Sequence, residues 1–337
     1  VTRRSAGIWI GLLMAATACG EPSGAPVEVT VPPGATFSDV TDTLTTRGLV
    51  GSGRLFRVYA RLRGEQRNVK AGRYALTPGT SWGEILDALT QGRVVTVPLT
   101  IPEGFRLVEI APRVAAMSDV DSAAAMSALQ APGVDSTFGV PGPGLEGYLF
   151  PDTYRFAPGV PVETVLSAMT RRYRDFWTPD RRARLEVLGM TERDLVTLAS
   201  IVQAEARRSD EMPLISSVYH NRLQRGWLLQ ADPTVLYALG GPRPRLLFAA
   251  IDSVADHPYN TYTRPGLPPG PIGAPGEAAL EAALHPAGET FLFFVARMDG
   301  SHVFTRTLAE HNRAVAASRR EQAEARARDT TGERPPQ

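Results

Sequence analysis

The sequence predicts an α+β fold, in which a small module of strands and short helices precedes a mainly helical body carrying a β-hairpin. Three observations predict it. A Pro-Gly turn followed by a cappable helix start appears at Pro33 and again at Pro78, marking two strand–turn–helix units. Apolar residues at helical spacing dominate from about residue 191 onward. Two short apolar runs, residues 291–296 and 302–306, flank Asp299-Gly300, the composition of a hairpin turn.

At the N-terminus Arg3 and Arg4 precede an apolar run over residues 6–18, which leads into Ala16-Thr17-Ala18-Cys19-Gly20. A basic start, a short apolar stretch and small residues before a cut site make residues 1–19 a secretory signal; a bilayer-spanning helix needs roughly 20 apolar residues. Cys19, directly after small residues, resembles a lipoprotein processing site at which it becomes the lipidated first residue. Plain cleavage and an uncleaved anchor are the alternatives.

Residues 20–26 form a linker, and the alternating run Val27-Glu28-Val29-Thr30-Val31 is a half-buried strand. Behind the Pro33-Gly34 turn, Thr36 caps a helix with Asp39 three residues on; Phe37, Val40 and Leu44 are its apolar stripe, and Gly48 ends it. A basic amphipathic helix containing Leu55, Val58, Tyr59 and Leu62 leads to the second copy, where Ser81 replaces Thr36 and Glu84 replaces Asp39. Residues 27–93 thus make one small module. Residues 94–141 are a bridge: an alternating strand over 94–101, a stop at Pro102-Glu103-Gly104, a helix from about Leu107 and an Ala-rich stretch to about Gln130. Residues 142–314 form the main body, with helices near 191–208, 213–225 and 276–284 ahead of the hairpin. Residues 315–337, rich in Arg, Glu and Ala, read as a frayed helix and a charged, disordered tail.

Composition excludes several chemistries. A formal charge of +1 gives no basic field for a nucleic-acid partner. The lone Cys19 allows no intramolecular disulfide. Five histidines, at 220, 257, 285, 302 and 311, lack metal-ligand spacing, so neither a metal nor another cofactor is expected. There is no Gly-x-Ser-x-Gly elbow and no phosphate-binding Gly-rich loop. Carboxylates remain. In the helix around residues 195–205, Leu195, Leu198, Ala199, Ile201 and Val202 share one face at about 100° per residue, and Glu205 falls on that face while Gln203 points elsewhere. A carboxyl on an apolar face is desolvated and keeps its proton near neutrality, as a general acid requires. The alternative places Glu205 at the edge of the stripe, paired with Arg208 on the surface.

Further blocks bear on that choice: Glu146-Gly147-Tyr148-Leu149-Phe150-Pro151-Asp152-Thr153-Tyr154, Ser200-Ile201-Val202-Gln203-Ala204-Glu205, Val218-Tyr219-His220-Asn221-Arg222, Leu229-Gln230-Ala231-Asp232-Pro233-Thr234, Tyr259-Asn260-Thr261-Tyr262 and Gly266-Leu267-Pro268-Pro269-Gly270. In this order and spacing they resemble the YceG-like family, the MltG-type endolytic murein transglycosylases, over about residues 27–312 and most strongly over 145–275. The module over residues 27–93 also resembles LysM, which binds peptidoglycan glycan; a structural adaptor without sugar affinity would look the same.

The resemblance implies a catalytic domain over residues 142–314 with one essential glutamate, which is Glu205 here. Relatives often carry a second Glu where this chain has Gln203, a departure that favours Glu205 as the acid. It further implies peptidoglycan strands as substrate, cut internally as they are made, with synthases as partners and an extracytoplasmic, membrane-anchored location. Glu146, Asn221, Gln230, Asp232, Asn260 and Tyr262 are the residues assigned to the glycan. Each has a structural alternative: a turn cap for Glu146, a helix end for Asn221, a helix N-cap for Asp232. Tyr148, Phe150 and Tyr154 read as core. Two rival functions stay open: a water-using muramidase with Glu205 plus Asp232 or Glu146, and an inactive wall-binding scaffold.

Overall fold

The computed structural model describes residues 22–243 and 246–331, so Cys19 and the expected signal lie outside the described residues. The chain divides between Val97 and Pro98 into two units. In the first, β1 (Val27–Val31) and β2 (Gly72–Leu76) pair antiparallel with Val29 opposite Tyr74. Around them lie α1 (Phe37–Thr46), α2 (Gly53–Leu62) and α3 (Trp82–Gln91). Both copies of the repeated turn close capping boxes, Thr36 with Asp39 and Ser81 with Glu84, which satisfy helix N–H groups that would otherwise lack partners. Val29, Leu44, Phe56, Tyr74, Ile85 and Leu89 form the core.

Helix α2 departs from expectation. Phe56 and Ala60 are its buried residues and Tyr59 packs half-buried against the core, whereas Leu55, Val58 and Leu62, named with Tyr59 as its apolar residues, are 56%, 49% and 81% exposed. The reason is a close approach to α1: a Cβ on Gly53 would meet Thr45 Oγ1 at 2.7 Å. That contact fixes which side of α2 turns inward.

The division falls just inside β3 (Val97–Thr100), which pairs with β4 (Thr153–Phe156). Between them run α4 (Leu107–Ser118), α5 (Ser122–Leu129) and α6 (Val134–Phe138). Leu99, Ile110, Val114 and Leu129 share one core with Leu145, Tyr148, Leu166, Leu198 and Leu280. The segment expected as a bridge is therefore built into the second unit from Pro98 onward. Then come α7 (Val162–Phe176), α8 (Pro179–Leu188), α9 (Glu192–Glu205), a short 3-10 turn (Ser209–Glu211), α10 (Met212–Gln224), α11 (Asp232–Ala238), α12 (Phe248–Asp252) and α13 (Glu277–Leu284). The expected hairpin forms from β5 (Phe293–Ala296) and β6 (His302–Thr305), with Phe294 opposite Phe304. Asp299 closes its turn by accepting from the Ser301 N–H at 2.9 Å, and Gly300 adopts the required φ of 82°.

Helix α9 occupies the centre. Every residue from Leu195 to Val202 is buried, enclosed by α8, α10, α11 and α13, so the helix is buried all round rather than on one face. Its polar members are satisfied: Thr197 Oγ1 donates to the Arg193 carbonyl, and Ser200 Oγ accepts the Ile272 N–H at 3.0 Å. In the C-terminal segment α14 (Leu308–Thr331) is one continuous helix, and the rest of the expected tail, residues 332–337, lies outside the described residues. Ser318 is buried and its Oγ donates to the Ala296 carbonyl of β5 at 3.1 Å, which ties α14 to the hairpin. Among the described residues, no helix is long and apolar enough to cross a membrane.

Candidate active site

Thr191 and Asp194 start α9 with a capping box, and the buried run carries it forward to Glu205, its last residue. Ala206 then leaves the helix in an extended conformation. Glu205 lines a cleft of about 380 Å³, together with Tyr219, Arg222, Gln230, Asp232, Tyr262, Phe293, Phe294, His302 and His311 among others. Four segments of the second unit supply them: α10, the 229–232 turn, the 260–263 loop and the hairpin with the start of α14. A larger open depression of about 770 Å³ lies over the start of α9, around Thr191, Asp194 and Pro268. Its carboxylates are committed to the fold, Glu192 to Tyr173 and Arg182 and Asp194 to the cap of α9, so the smaller cleft is the better chemical candidate.

Glu205 is half-buried as a residue, with its carboxyl the enclosed part. Tyr219, two turns into α10 and buried, donates its hydroxyl to Glu205 Oε1 at 2.8 Å. Burial pushes the Glu205 pKa up to about 7; the Tyr219 hydrogen bond works against that rise, Asp232 adds to it and Arg222 opposes it. Oε1 is thereby engaged as an acceptor, and Oε2 is left to carry the proton. The surface ion pair with Arg208 does not form: Arg208 binds Asp210 at 2.9 Å. Gln203 turns away from the cleft and accepts the Gly276 N–H at 3.0 Å.

Three of the six residues assigned to the glycan meet Glu205 in the cleft: Gln230, Asp232 and Tyr262. Asp232 opens α11 without capping it, and its Oδ1 accepts the Tyr262 hydroxyl at 2.5 Å. Gln230 sits at φ 49°, a left-handed conformation unusual outside glycine, and its N–H donates to the Thr261 carbonyl at 3.1 Å. The other three are not brought to the lining. Asn260 is fully buried; its Nδ2 donates to the Ile251 and Val254 carbonyls, and its Oδ1 accepts the Tyr262 N–H at 3.0 Å. Asn221 lies within α10 and donates to the Glu289 and Phe291 carbonyls, fixing the approach to β5. Glu146 accepts the Leu107 N–H at 3.2 Å and the Tyr237 hydroxyl at 3.4 Å, at the start of α4. Tyr148 and Phe150 are core, as their reading from sequence has it.

Several cleft residues escaped sequence reasoning. Arg222 is a buried cation whose Nε and Nη1 donate to the Leu292 and Leu229 carbonyls at 2.8 and 2.7 Å. His302 is fixed by Glu211, which accepts its N–H and meets Nδ1 at 2.7 Å. Phe293 stacks on His311, whose pKa burial and Arg222 hold below the usual histidine range. Only Tyr219 and Arg222 had a sequence signal, their place in the block that follows Glu205; the hairpin residues are far along the chain and reach the cleft through tertiary contacts.

A buried helix that delivers a carboxyl raised to about 7 into a polar and aromatic cleft, beside Asp232, makes a candidate acid site on an α+β scaffold. Comparison with known proteins then places the chain. Residues 29–317 match the YceG-like family. The chain is 32% identical over 309 residues to the endolytic murein transglycosylase of Bacillus subtilis, covering 86% of this chain and 83% of that protein. It is 31% identical over 324 residues to the endolytic murein transglycosylase of Streptococcus pneumoniae strain D39, covering 86% of this chain and 58% of the longer relative. A crystal structure of a YceG-like protein from Listeria monocytogenes is similar at a TM-score of 0.59 and 32% identity, over 86% of this chain and 99% of that one. This chain belongs to the YceG-like family, whose named relatives here are enzymes.

Proposed function

We propose that the chain is a lytic transglycosylase that cuts peptidoglycan glycan strands internally, with Glu205 as both acid and base. The observation that carries this is the enclosed Glu205 carboxyl, raised to about 7 and held on one oxygen by Tyr219, beside a cleft of polar and aromatic side chains. Protonated Glu205 gives its proton to the oxygen linking N-acetylmuramic acid to N-acetylglucosamine, and the C1–O bond breaks. The resulting carboxylate takes the proton of the muramic acid C6 hydroxyl as O6 bonds to C1, closing a 1,6-anhydro ring. Glu205 ends protonated, ready for another turnover, and no water is consumed. Asp232 stands where its charge favours the cationic character developing at C1, and the Tyr262 hydroxyl fixes its orientation.

A muramidase with two carboxylates is the second reading, favoured by the presence of Asp232 in the same cleft. Glu146, the other carboxylate considered for it, has its oxygens turned to Leu107 and Tyr237. Mass spectrometry of purified glycan strands separates the two, because the anhydro product is one water lighter than the hydrolytic product. The transglycosylase predicts anhydro ends from the chain and none from Glu205→Gln; Asp232→Asn slows formation of the same anhydro ends. Reducing ends, abolished by Asp232→Asn, would replace it with the muramidase. Glycan binding without cleavage would leave a scaffold. The family resemblance also supports a role in limiting strand length beside peptidoglycan synthases, glycan affinity in the LysM-like module, and extracytoplasmic attachment to the membrane through Cys19 or the segment around it.

A further inference from the structure

Helix α2 carries two apolar arcs on opposite sides. Taken at about 100° per residue, Gly53, Phe56 and Ala60 form the arc that packs inward, and Leu55, Val58 and Leu62 form one that does not. Arg54 and Arg61 border the outer arc on one side, and half-buried Tyr59 followed by Arg63 on the other. Arg57 and Arg63 are paired with Asp42 and Asp87, whereas among the described residues Arg54 and Arg61 have no ion pair. From Arg47 to Arg73 the chain holds eight basic residues, Arg47, Arg54, Arg57, Arg61, Arg63, Arg67, Lys70 and Arg73, against the single acidic Glu65.

We propose that this outer face of α2 lies in the headgroup boundary of an anionic lipid surface, as a second membrane contact independent of the cleavage chemistry. An aliphatic arc edged by arginines suits that boundary: the leucines and valine enter the acyl region while the guanidinium groups reach lipid phosphates. A glycan is a poorer occupant, because Tyr59, the aromatic beside the arc, is packed against Phe56 and Trp82 and its hydroxyl already accepts from Arg63. A second copy is poorer still. Three aliphatic side chains fall well short of the roughly 800 Å² per partner that a stable interface needs, and the arginine borders of two copies would repel. Chain connectivity agrees, since only residues 19–26 separate the apolar run from β1, a reach of about 28 Å when extended.

The test uses the full chain with Cys19→Ser and Leu62→Cys, labelled at residue 62 with a polarity-sensitive fluorophore and mixed with vesicles containing lipid-borne quenchers. A label on Gln91→Cys, exposed on α3, is the control. On vesicles with about one third phosphatidylglycerol, the residue-62 label is expected to shift to the blue and be quenched, and the residue-91 label to remain in water. Arg54→Glu with Arg61→Glu should lower quenching at residue 62 at least fivefold, since each arginine near such a surface counts for roughly fivefold in partitioning. A residue-62 label that stays in water on anionic vesicles overturns the proposal. Equal quenching on phosphatidylcholine alone overturns it as well, as does shielding of residue 62 without vesicles, which would mean self-association.

Discussion

Glu205 and Glu146 are two carboxyls that burial shifts alike in different surroundings. Burial raises both from 4.5 to about 7. Glu205 ends a buried helix, receives one hydroxyl and opens on the cleft. Glu146 sits in a loop whose tight turn needs Gly147 at φ 82°, and it meets the first N–H of α4 and the hydroxyl of Tyr237. At a helix N-terminus a carboxyl satisfies an orphan donor and complements the helix dipole. A shifted pKa therefore does not by itself identify a catalytic acid. What distinguishes the two is whether an oxygen is left free beside a space large enough for a sugar.

Replacing each carboxyl is the sharpest way to break this comparison. Glu205→Gln should reduce the rate of strand cleavage by about 10³-fold or more, the order of a lost general acid and base, while Glu146→Gln stays within about tenfold of the parent. Equal losses would remove the distinction. Tyr219→Phe comes next, with an expected 10- to 100-fold loss, the equivalent of a hydrogen bond to a charged group. Because that bond lowers the Glu205 pKa, its removal should also move the alkaline limb of the pH–rate profile upward. In the parent, activity should fall above about pH 7 as Glu205 loses the proton it donates, by about tenfold per pH unit at the steepest. A profile flat to pH 9 would argue against Glu205 as the acid.

The smallest expected effect is on stability. Both carboxyls bind protons more tightly folded than unfolded, so between about pH 4.5 and 7 the native state holds more protons. Stability due to these groups is fully present below that window and is lost as pH rises through it. Glu146→Gln keeps an acceptor for the Leu107 N–H without a buried charge, so thermal melts should show it a few degrees more stable than the parent at pH 8. The gain should vanish near pH 4; a gain independent of pH would place its cause elsewhere.

Much of this was legible from sequence where the physics is local. The capping pairs Thr36–Asp39 and Ser81–Glu84 follow from spacing alone, because both partners lie within one helical turn. The hairpin around Asp299-Gly300 follows from turn chemistry. In α2 the pattern misled, since an amphipathic period says that two sides differ without saying which one is covered; Gly53 against Thr45 decided that. The candidate site was half legible. Gln230, Asp232 and Tyr262 share the cleft with Glu205, whereas Asn221 and Asn260 bond to backbone carbonyls beneath it.

By itself, then, the sequence determined the helix starts, the turns, the α+β class and the position of a carboxyl at the end of an apolar helix, all properties of neighbours along the chain. Tertiary structure alone decided that Tyr219 reaches Glu205 and that Phe293, His302 and His311 complete the cleft. Those contacts join residues up to about a hundred positions apart. Their selection depends on how whole elements pack, because only packing removes water from a carboxyl and so fixes where its proton stays.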